Sequence, residues 1–347
     1  MDEKKPLISV IVPVYHSEKT ITACVESILG GEPYENLEVL LVANGLTDED
    51  PALLLCRELS QKWEAVRVII RPEAGVSSAR NEGIRQAKGE LIRFADSDDR
   101  VAAGSLSVMA EQMQKDQSDL VVAGYEHLYY NKSVLKLPDE AGCFSIKDDP
   151  ERFCRLYLSD YLNPPWNKLF RKSLIREYFE ENKNLGEDLC FNLSYLAKAS
   201  KVSVMDRVVY HYTQDDGGTS LSGRIREDRI DVCKQLYGKT LEFLKELGME
   251  EGCRWAPDTK VVSTFLDEIG LIPLEKGYTP DQKKRLIRRY VKAIHSFAAA
   301  KKPTLILRYA DHRILYRFAK DGNWRMVYVL TMIRSLLVRA QRKMQKV

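Results

Sequence analysis

Four short runs of apolar residues punctuate the first hundred positions of the chain. They are rich in valine, isoleucine and leucine, contain only a few polar residues, and predict strands over residues 7–15, 37–42, 66–70 and 90–95. Apolar runs of this length are typical of strands that are buried on both faces of a parallel sheet. Amphipathic stretches separate them, so the βαβαβαβ order predicts a right-handed, mostly parallel α/β sheet with helices on both faces.

Helix boundaries follow from the residues that flank the amphipathic stretches. Ser17 is predicted to cap a first helix, which Gly30 ends. A second helix is expected over about 50–62, and Ser77 or Ser78 is predicted to cap a third.

The pattern becomes helical beyond about residue 225. Before that point we expect a helix over 104–115, a strand over 120–123 and a hairpin over 125–137, and then two strands at 202–204 and 208–212. After it, helices are predicted over 228–247, 258–269 and 280–300 and in the tail. We therefore expect one domain over 1–224 and a mainly helical C-terminal region over 225–347.

Clustered carboxylates follow the fourth apolar run, in the sequence Asp96-Ser97-Asp98-Asp99. Ligands of such sheets bind beyond the carboxyl ends of the strands, which is where this cluster is predicted to lie. Carboxylate oxygens there suit Mg²⁺ or Mn²⁺ holding a phosphate group. The same residues are also good turn formers, so a plain turn is the alternative interpretation.

Composition excludes several classes of protein. The chain of 347 residues is 44% apolar and 30% charged, and no apolar run approaches the ~20 residues that span a bilayer. The N-terminus resembles no secretory signal, and seven scattered cysteines suit a reducing cytosol. We therefore expect a cytoplasmic protein.

The net charge of +3 hides an asymmetry between the tail and the rest of the chain. Residues 324–347 contain six basic residues and no acidic one, which leaves 47 basic against 50 acidic residues elsewhere. The basic character therefore belongs to the tail, and no nucleic-acid partner is expected for the body of the protein.

Two common nucleotide-binding signatures are absent from the sequence. Pro13-Val14-Tyr15-His16-Ser17 follows the first strand where a dinucleotide-binding domain has Gly-x-Gly-x-x-Gly. No phosphate-binding Gly-Lys-Ser/Thr loop occurs either.

Five segments, in this order and spacing, resemble family 2 glycosyltransferases, and the resemblance covers about residues 6–223. They are Val-Ile-Val-Pro-Val-Tyr at 10–15, Gly75-Val76-Ser77-Ser78-Ala79-Arg80-Asn81, Asp96-Ser97-Asp98-Asp99, Trp166-Asn167-Lys168-Leu169-Phe170 and Gly186-Glu187-Asp188. The resemblance implies a GT-A fold and an inverting, metal-dependent transfer of sugar from a nucleotide donor to a glycan or lipid-linked acceptor, in synthesis of a bacterial surface polysaccharide.

The resemblance also implies which side chains bind the donor. Tyr15 would stack on the nucleobase, although it is also a suitable cover for the sheet edge. Glu18 would contact the ribose or remain a solvated carboxylate near a helix N-terminus. The donor-binding residues implied are Pro13, Tyr15, Glu18, Asn44, Arg80, Asp96 and Lys168.

The expected metal is Mn²⁺ or Mg²⁺, held by Asp98 and Asp96. His211 is a further candidate ligand, or else a partly buried ring. Asp99 is interpreted as a turn or cap residue. The metal would neutralise the diphosphate as it leaves.

Asp188 is the expected catalytic base, since an inverting transfer needs one carboxylate to take the proton of the acceptor hydroxyl. Glu187 would orient the acceptor or support Asp188. A helix cap is the alternative role for Asp188. Lys168 would pair with phosphate or cover an apolar surface, and Trp166 would pack beneath the acceptor.

Two positions depart from the pattern of the family. Ala43-Asn44-Gly45-Leu46 stands where many relatives have Asp-Asp-Gly-Ser, and His16 replaces an asparagine. Asn44 still offers both a donor and an acceptor to a base edge. UDP is the expected carrier. A catalytically inactive binding or scaffold subunit is the main alternative, and a nucleotidyltransferase is a third.

The C-terminal tail is predicted to be an amphipathic helix. Its apolar residues fall on one helical face and its basic residues on another, as in helices that lie on membrane surfaces. Docking onto its own domain is the alternative. The region 225–347 is expected to serve acceptor recognition, oligomerisation or, through 324–347, peripheral contact with the inner face of the membrane.

Overall fold

The computed structural model describes residues 7–30, 36–129, 132–182, 185–214, 228–275 and 277–344, with side chains as far as residue 338. Contacts between Cα atoms divide the chain into a first unit, residues 1–220, and a second unit, residues 221–347. The boundary predicted between residues 224 and 225 lies outside the described residues.

The first unit is built around one sheet of ten strands. The strands are β1 Ile8–Val14, β2 Leu37–Asn44, β3 Val66–Arg71, β4 Leu91–Phe94, β5 Arg100–Val101, β6 Leu120–Tyr129, β7 Lys132–Lys136, β8 Gly142–Ser145, β9 Lys168–Arg171 and β10 Lys201–Gln214. The helices are α1 Ile21–Leu29, α2 Pro51–Lys62, α3 Val76–Gln86, α4 Ser105–Asp116, α5 Pro150–Leu158 and α6 Glu187–Leu196.

The strand order is β3-β2-β1-β4-β9-β6-β10-β5, with β7 on β6 and β8 on β10. Four ladders are parallel, joining β1 to β2, β2 to β3, β1 to β4 and β6 to β10, and three of these are the longest of the sheet. The short strand β9 runs antiparallel to both β4 and β6 and so connects the two parallel halves. The mostly parallel α/β fold predicted from the sequence is confirmed.

Continuous burial explains why β1 lies at the centre of its parallel half. Every residue of β1 is buried, and its ladders place Val14 opposite Ala43 and Ile11 opposite Phe94. Helix α3 packs closely on this strand at Gly83, where a Cβ atom would come within 2.3 Å of the Ile11 side chain. This close approach holds α3 against β1. It thereby fixes the position of Arg80, which reaches Asp96 just beyond the carboxyl end of β4.

Three local predictions in the first unit are wrong. Ser77 and Ser78 do not cap α3, because they lie inside the helix and Gly75 occupies its N-cap position. Helix α1 begins at Ile21, and the hydroxyl of Ser17 has no hydrogen-bond partner among the described residues. Ser17 instead uses its carbonyl, which accepts from Thr20 and Ile21 in the turn before the helix. The two strands predicted between 202 and 212 are one strand, β10, in which irregular pairing after Met205 replaces a break.

The second unit is helical. Its helices are α7 Arg229–Glu246, α8 Glu250–Cys253, α9 Trp255–Leu271, α10 Pro280–Lys301, α11 Ala310–Ala319 and α12 Trp324–Met344. Helix α9 supplies much of the core through Val262, Phe265, Leu266 and Ile269, all buried. In the part of the chain that the structure describes, no helix combines the length and the apolar character needed to cross a bilayer.

Candidate active site

The carboxylate cluster lies at the carboxyl end of β4, beside the end of β1. The amide of Ala95 donates to the Ile11 carbonyl at 3.0 Å, which extends the parallel ladder as far as the cluster. The amide of Asp96 then donates to the Tyr210 hydroxyl at 2.8 Å, and that hydroxyl donates to Asp99 Oδ2 at 2.9 Å. Strand β10 therefore holds the backbone of the cluster in place.

Asp99 differs from its two neighbours because its side chain is buried. Its Oδ1 accepts from the Thr213 amide at 2.7 Å, so the carboxyl group ties the loop to β10. Burial, with the nearby charges of Asp96 and Asp98, raises the pKa of Asp99 to about 9. Asp98 is exposed and Asp96 half-buried, so both carboxylates can be reached from solvent.

Arg80 connects the cluster to a second acidic position. Its guanidinium donates from Nη2 to Asp96 Oδ1 at 2.9 Å and from Nη1 to Asp188 Oδ1 at 2.7 Å, while only 4% of its side chain is exposed. The Phe179 ring lies 5.3 Å from the guanidinium carbon. A planar fork held in this way fixes the distance between two carboxylates that are 92 positions apart in the sequence.

Asp188 lies in the first turn of α6, and it is not the cap of that helix. Gly186 occupies the N-cap position with φ 85°, and the Asp188 carboxylate is directed to Arg80. Burial raises the pKa of Asp188 to about 6; Glu187 and Asp96 add to that rise and Arg80 opposes it. A carboxylate with a pKa in this range is ionised at neutral pH and is a stronger base than an ordinary aspartate.

Glu187 precedes Asp188 and has an unusual environment. Its Oε2 is buried and has no hydrogen-bond partner among the described residues. An unpaired buried carboxylate oxygen is costly, and such atoms are expected where a ligand supplies the missing donor. The position suits an acceptor hydroxyl, as the resemblance implied.

The residues of the cluster fit a divalent cation that is shared with a diphosphate. Within the described ranges, no three histidine, cysteine, aspartate or glutamate side chains form a preformed metal group. Mg²⁺ needs fewer, since it commonly uses one or two carboxylates together with substrate phosphates. Burial raises the pKa of Asp99 most, and the repulsion from Asp96 and Asp98 that adds to this rise is a further sign that the cluster suits a positive charge.

His211 lies on β10 opposite Arg100 of β5. Its Nδ1 is 2.9 Å from Glu126 Oε2, so the carboxylate orients the ring and leaves Nε2 for another partner. Metal-binding histidines are commonly held by a carboxylate in this way. The metal-ligand role of His211 stays a prediction.

The end of β1 and the loop between β1 and α1 carry the residues Pro13, Tyr15 and Glu18, which were predicted to bind the donor. Tyr15 follows β1 directly and 53% of its surface is exposed, so its ring is available for stacking. Glu18 is exposed in the turn before α1. The Pro13 side chain is buried in β1, so only its carbonyl is suited to a ligand.

Asn44 has a structural role in addition to its predicted contact with the base. Its Nδ2 donates to the Val14 carbonyl at 2.9 Å, and its Oδ1 accepts from the Gly75 amide at 2.8 Å. The side chain is buried and bridges the ends of β1 and β2 to the start of α3. Because these bonds hold the side chain within the fold, the placement does not favour a contact with the base, and that contact stays a prediction.

Lys168 is buried, which the sequence did not indicate. Its Nζ is fully buried and donates to the carbonyls of Tyr161 and Pro164 and to Asn167 Oδ1. Burial lowers the pKa of this lysine well below its usual range, although Asp188 opposes the change. The nitrogen already faces three acceptors within the fold, so this placement does not support pairing with phosphate.

The Lys168→Met variant tests this correction. Because three acceptors would lose their donor, we expect the free energy of unfolding to fall by about 1–3 kcal/mol, while nucleotide affinity stays unchanged. Urea denaturation and nucleotide titration measure the two quantities, with the exposed Lys147→Met as the control. Lost nucleotide affinity at unchanged stability would restore Lys168 to the site.

Several residues of the site were not predicted. Tyr210 and Phe179 hold Asp96 and Arg80 respectively. Trp166, which was predicted to pack beneath the acceptor, stacks on Tyr210 with ring centroids 4.4 Å apart and planes at 12°; its relation to the acceptor stays a prediction. The run Tyr210-His211-Tyr212 on a predicted strand is the feature of the sequence that could have indicated a role for Tyr210.

The sequence matches the model of the family described as Glycosyl transferase family 2 over residues 9–179. Glycosyltransferase GlyG of Streptococcus pneumoniae is 30% identical over 229 residues, which cover 61% of this chain and 72% of GlyG. Uncharacterized glycosyltransferase EpsJ of Bacillus subtilis is 28% identical over 72% of this chain and 73% of its own length.

A solved structure has the same architecture. The chain is similar to Staphylococcus aureus TarS 1–349 in complex with UDP-GlcNAc, with a TM-score of 0.66 and 21% identity, covering 94% of this chain and 90% of that one. TarS is named poly(ribitol-phosphate) beta-N-acetylglucosaminyltransferase, and it is 25% identical to this chain over 330 residues, 92% of this chain and 54% of TarS. This likeness supports the GT-A fold.

Proposed function

Because this chain belongs to glycosyl transferase family 2 and is a glycosyltransferase, we propose that it moves a sugar from a nucleotide-diphosphate donor to an acceptor hydroxyl with inversion. One observation carries the proposal: Arg80 bonds Asp96 of the donor-side cluster and Asp188 of the acceptor side at once. We propose that residues 1–224 form the transferase domain and that 225–347 serve other contacts.

Asp188 acts as the general base in this mechanism. Its ionised carboxylate takes the proton of the acceptor hydroxyl as that oxygen attacks the anomeric carbon from the side opposite the leaving diphosphate. Arg80 holds the carboxylate in place, and the raised pKa of Asp188, about 6, favours proton transfer to it. Glu187 orients the acceptor through its unpaired oxygen.

Asp96 and Asp98 would hold Mg²⁺ or Mn²⁺ on the donor side, with His211 as a third ligand. Such an ion neutralises charge on the diphosphate as it leaves. Asp99 and Tyr210 keep the two aspartates at the end of β4.

The donor we propose is a UDP-sugar, and the exposed Tyr15 ring stacks on its base. TarS, which shares the fold and is named with UDP-GlcNAc, supports this choice. The acceptor is a glycan or lipid-linked glycan of a bacterial surface polysaccharide. The scaffold alternative rested on Ala43-Asn44, and it is weakened because Asn44 serves the fold and the carboxylates remain arranged around Arg80.

A thermal-shift screen of nucleoside diphosphates and nucleotide sugars, each with and without Mn²⁺, tests the proposed function. A ligand at ~100 times its Kd stabilises a protein by about 2.7 kcal/mol. We expect the largest shift with a uridine nucleotide and only in the presence of the metal. If no nucleotide shifts the melting temperature under either condition, the scaffold alternative is favoured.

Helix α12 supports a peripheral membrane contact. It packs on the second unit through Val327, Thr331 and Ser335, and the two hydroxyl residues are 2% and 3% exposed. Leu336 and Leu337, by contrast, are 61% and 63% exposed. A helix that buries hydroxyls and exposes leucines has its apolar face available to another apolar surface.

Because residues 324–347 are basic, we expect this helix to bind an anionic membrane in preference to a neutral one. We therefore propose that the protein lies at the inner face of the cytoplasmic membrane, where a lipid-linked acceptor is available. Flotation with anionic liposomes should recover the wild-type protein but lose the double variant Leu336→Ser/Leu337→Ser. Leu135→Ser, which changes an equally exposed leucine of the first unit, is the control. Equal flotation of the double variant contradicts the proposal, and dimers seen by light scattering without flotation assign the face to a second copy.

A further inference from the structure

A cavity of about 450 Å³ lies among α7, α9 and α10 of the second unit. Helices α7 and α10 each pack on α9, and the cavity occupies the space that they leave between them. Ligand pockets in proteins typically measure ~300–1,000 Å³, so this space suffices for a small organic molecule. No residue of the proposed transferase site lines it.

The floor of the cavity is apolar. It is formed by Ile230 and Tyr237 of α7, Val261 and Phe265 of α9, and Phe297 of α10. The Tyr237 hydroxyl donates to Asp258 Oδ1 at 2.8 Å, and its ring meets the Phe297 ring edge-on with centroids 5.2 Å apart. The hydroxyl of Tyr237 is thus already used, so the floor is suited to a hydrocarbon rather than to a sugar.

The rim of the cavity is basic. Lys234, Arg289, Lys292 and Lys301 line it, against one acidic residue, Asp231. Lys234 is 3.7 Å from Asp231. Lys301 interacts electrostatically with Asp258, which does not line the cavity. Four cations against one acidic residue in the lining favour an anion there.

We propose that this cavity binds an anionic amphiphile, a phosphate ester that carries a single hydrocarbon chain. The chain lies on the aromatic and aliphatic floor, and the phosphate lies at the rim between Arg289 and Lys292. These two residues are three positions apart on α10, so their side chains are neighbours on one face of the helix. The site is independent of the transfer chemistry, because its binding needs neither nucleotide sugar nor metal.

Isothermal titration of the full-length protein with hexyl, octyl and decyl phosphate, each below its micelle concentration, tests the proposal. Affinity should rise about fourfold for each methylene that the floor buries. Inorganic phosphate and octyl trimethylammonium should bind at least a hundredfold more weakly than octyl phosphate. Affinity that does not change with chain length would overturn the amphiphile, and equal binding of inorganic phosphate would assign the rim to a soluble phosphate.

Variants localise the binding to this cavity. Arg289→Gln and Lys292→Gln should each weaken octyl phosphate by roughly two- to fivefold, the range of exposed ion pairs. Ser296→Trp places a large ring in the opening and should abolish binding. Lys284→Gln removes the same charge from α10 outside the cavity and should change nothing. If Ser296→Trp binds as well as wild type, or Lys284→Gln weakens binding as much as Lys292→Gln, the proposal is wrong.

Circular dichroism and melting temperature show that each variant is folded before it is titrated. The changed residues Arg289, Lys292 and Ser296 are exposed on α10, so none of them supports the core. Failure of the uridine screen at the first unit would leave these titrations unaffected, so the two proposals fail separately.

Discussion

Asp188→Asn is expected to lower the turnover of the donor by roughly 10²–10⁴-fold, the contribution that a positioned general base makes to a rate. Asparagine has the same shape and keeps an oxygen towards Arg80, but it cannot take a proton at neutral pH. Because the amide preserves the fork at Arg80, nucleotide affinity should stay within a few-fold of wild type. Release of nucleoside diphosphate in the presence of acceptor measures the first quantity, and titration with nucleotide measures the second.

The pH dependence of wild-type transfer follows from the same group. The pKa of Asp188 is raised to about 6, and only the ionised form accepts a proton. We expect kcat/KM to be flat near neutral pH and to fall about tenfold per pH unit below this value. An ordinary aspartate would keep its activity down to about pH 4.

Glu187→Gln is the matched comparison for the base. It removes a charge from the adjacent position of α6 and leaves the Asp188 carboxylate in place. We expect a smaller loss, confined mainly to the KM for the acceptor. If Glu187→Gln abolished transfer while Asp188→Asn retained it, the assignment of the base would be reversed.

Arg80→Gln is the second change for which we expect a large effect. It removes two hydrogen bonds to carboxylates, each worth about 1.5–3 kcal/mol when one partner is charged, so kcat/KM should fall roughly 10²–10⁴-fold. The cation also lowers the pKa of Asp188, so its removal should move the acidic limb of the pH profile to higher pH. A residue that only supports the fold would not move that limb.

Two further variants separate charge from geometry at Arg80. Arg80→Lys keeps the charge but not the planar fork, so it should recover only part of the activity. Arg85→Gln, on the same helix and paired with Glu82 at the surface, should leave transfer unchanged. An unchanged pH profile in Arg80→Gln would contradict the role of Arg80 as the link between the two acidic positions.

The parallel strands β1 to β4 were predictable because each of them coincides with a short, mostly apolar run. Strands β5 and β9 have two and four residues, which is too few to show a period, and neither strand was predicted. Helix α5 was missed although Asp149 caps it and Pro150 begins it. Serine is a common N-cap residue, but the turn before α1 uses the backbone carbonyl of Ser17 rather than its hydroxyl.

The acidic residues of the candidate site could be predicted from the sequence, but most of their hydrogen-bond partners could not. Asp96, Asp98 and Asp188 follow from a resemblance in linear motifs, and Arg80 lies in one of them. Asn44 and Lys168 were assigned to the donor from their chemistry and their place in the motifs. Their hydrogen bonds to the backbone could not be foreseen, because these bonds depend on loops that the pattern does not specify. Tyr210 was missed because it meets Asp96 across 114 positions.

Isothermal titration of UDP in the presence of Mn²⁺ into the wild-type protein and into Asp98→Ala and Asp188→Asn tests the central claim most directly. The claim is that Asp96 and Asp98 form the donor side of a transferase site and Asp188 the acceptor side. We predict binding to the wild type and to Asp188→Asn with similar affinity, and a loss of at least a hundredfold in Asp98→Ala. Binding to Asp98→Ala with wild-type affinity, or no binding to the wild type, would contradict the account.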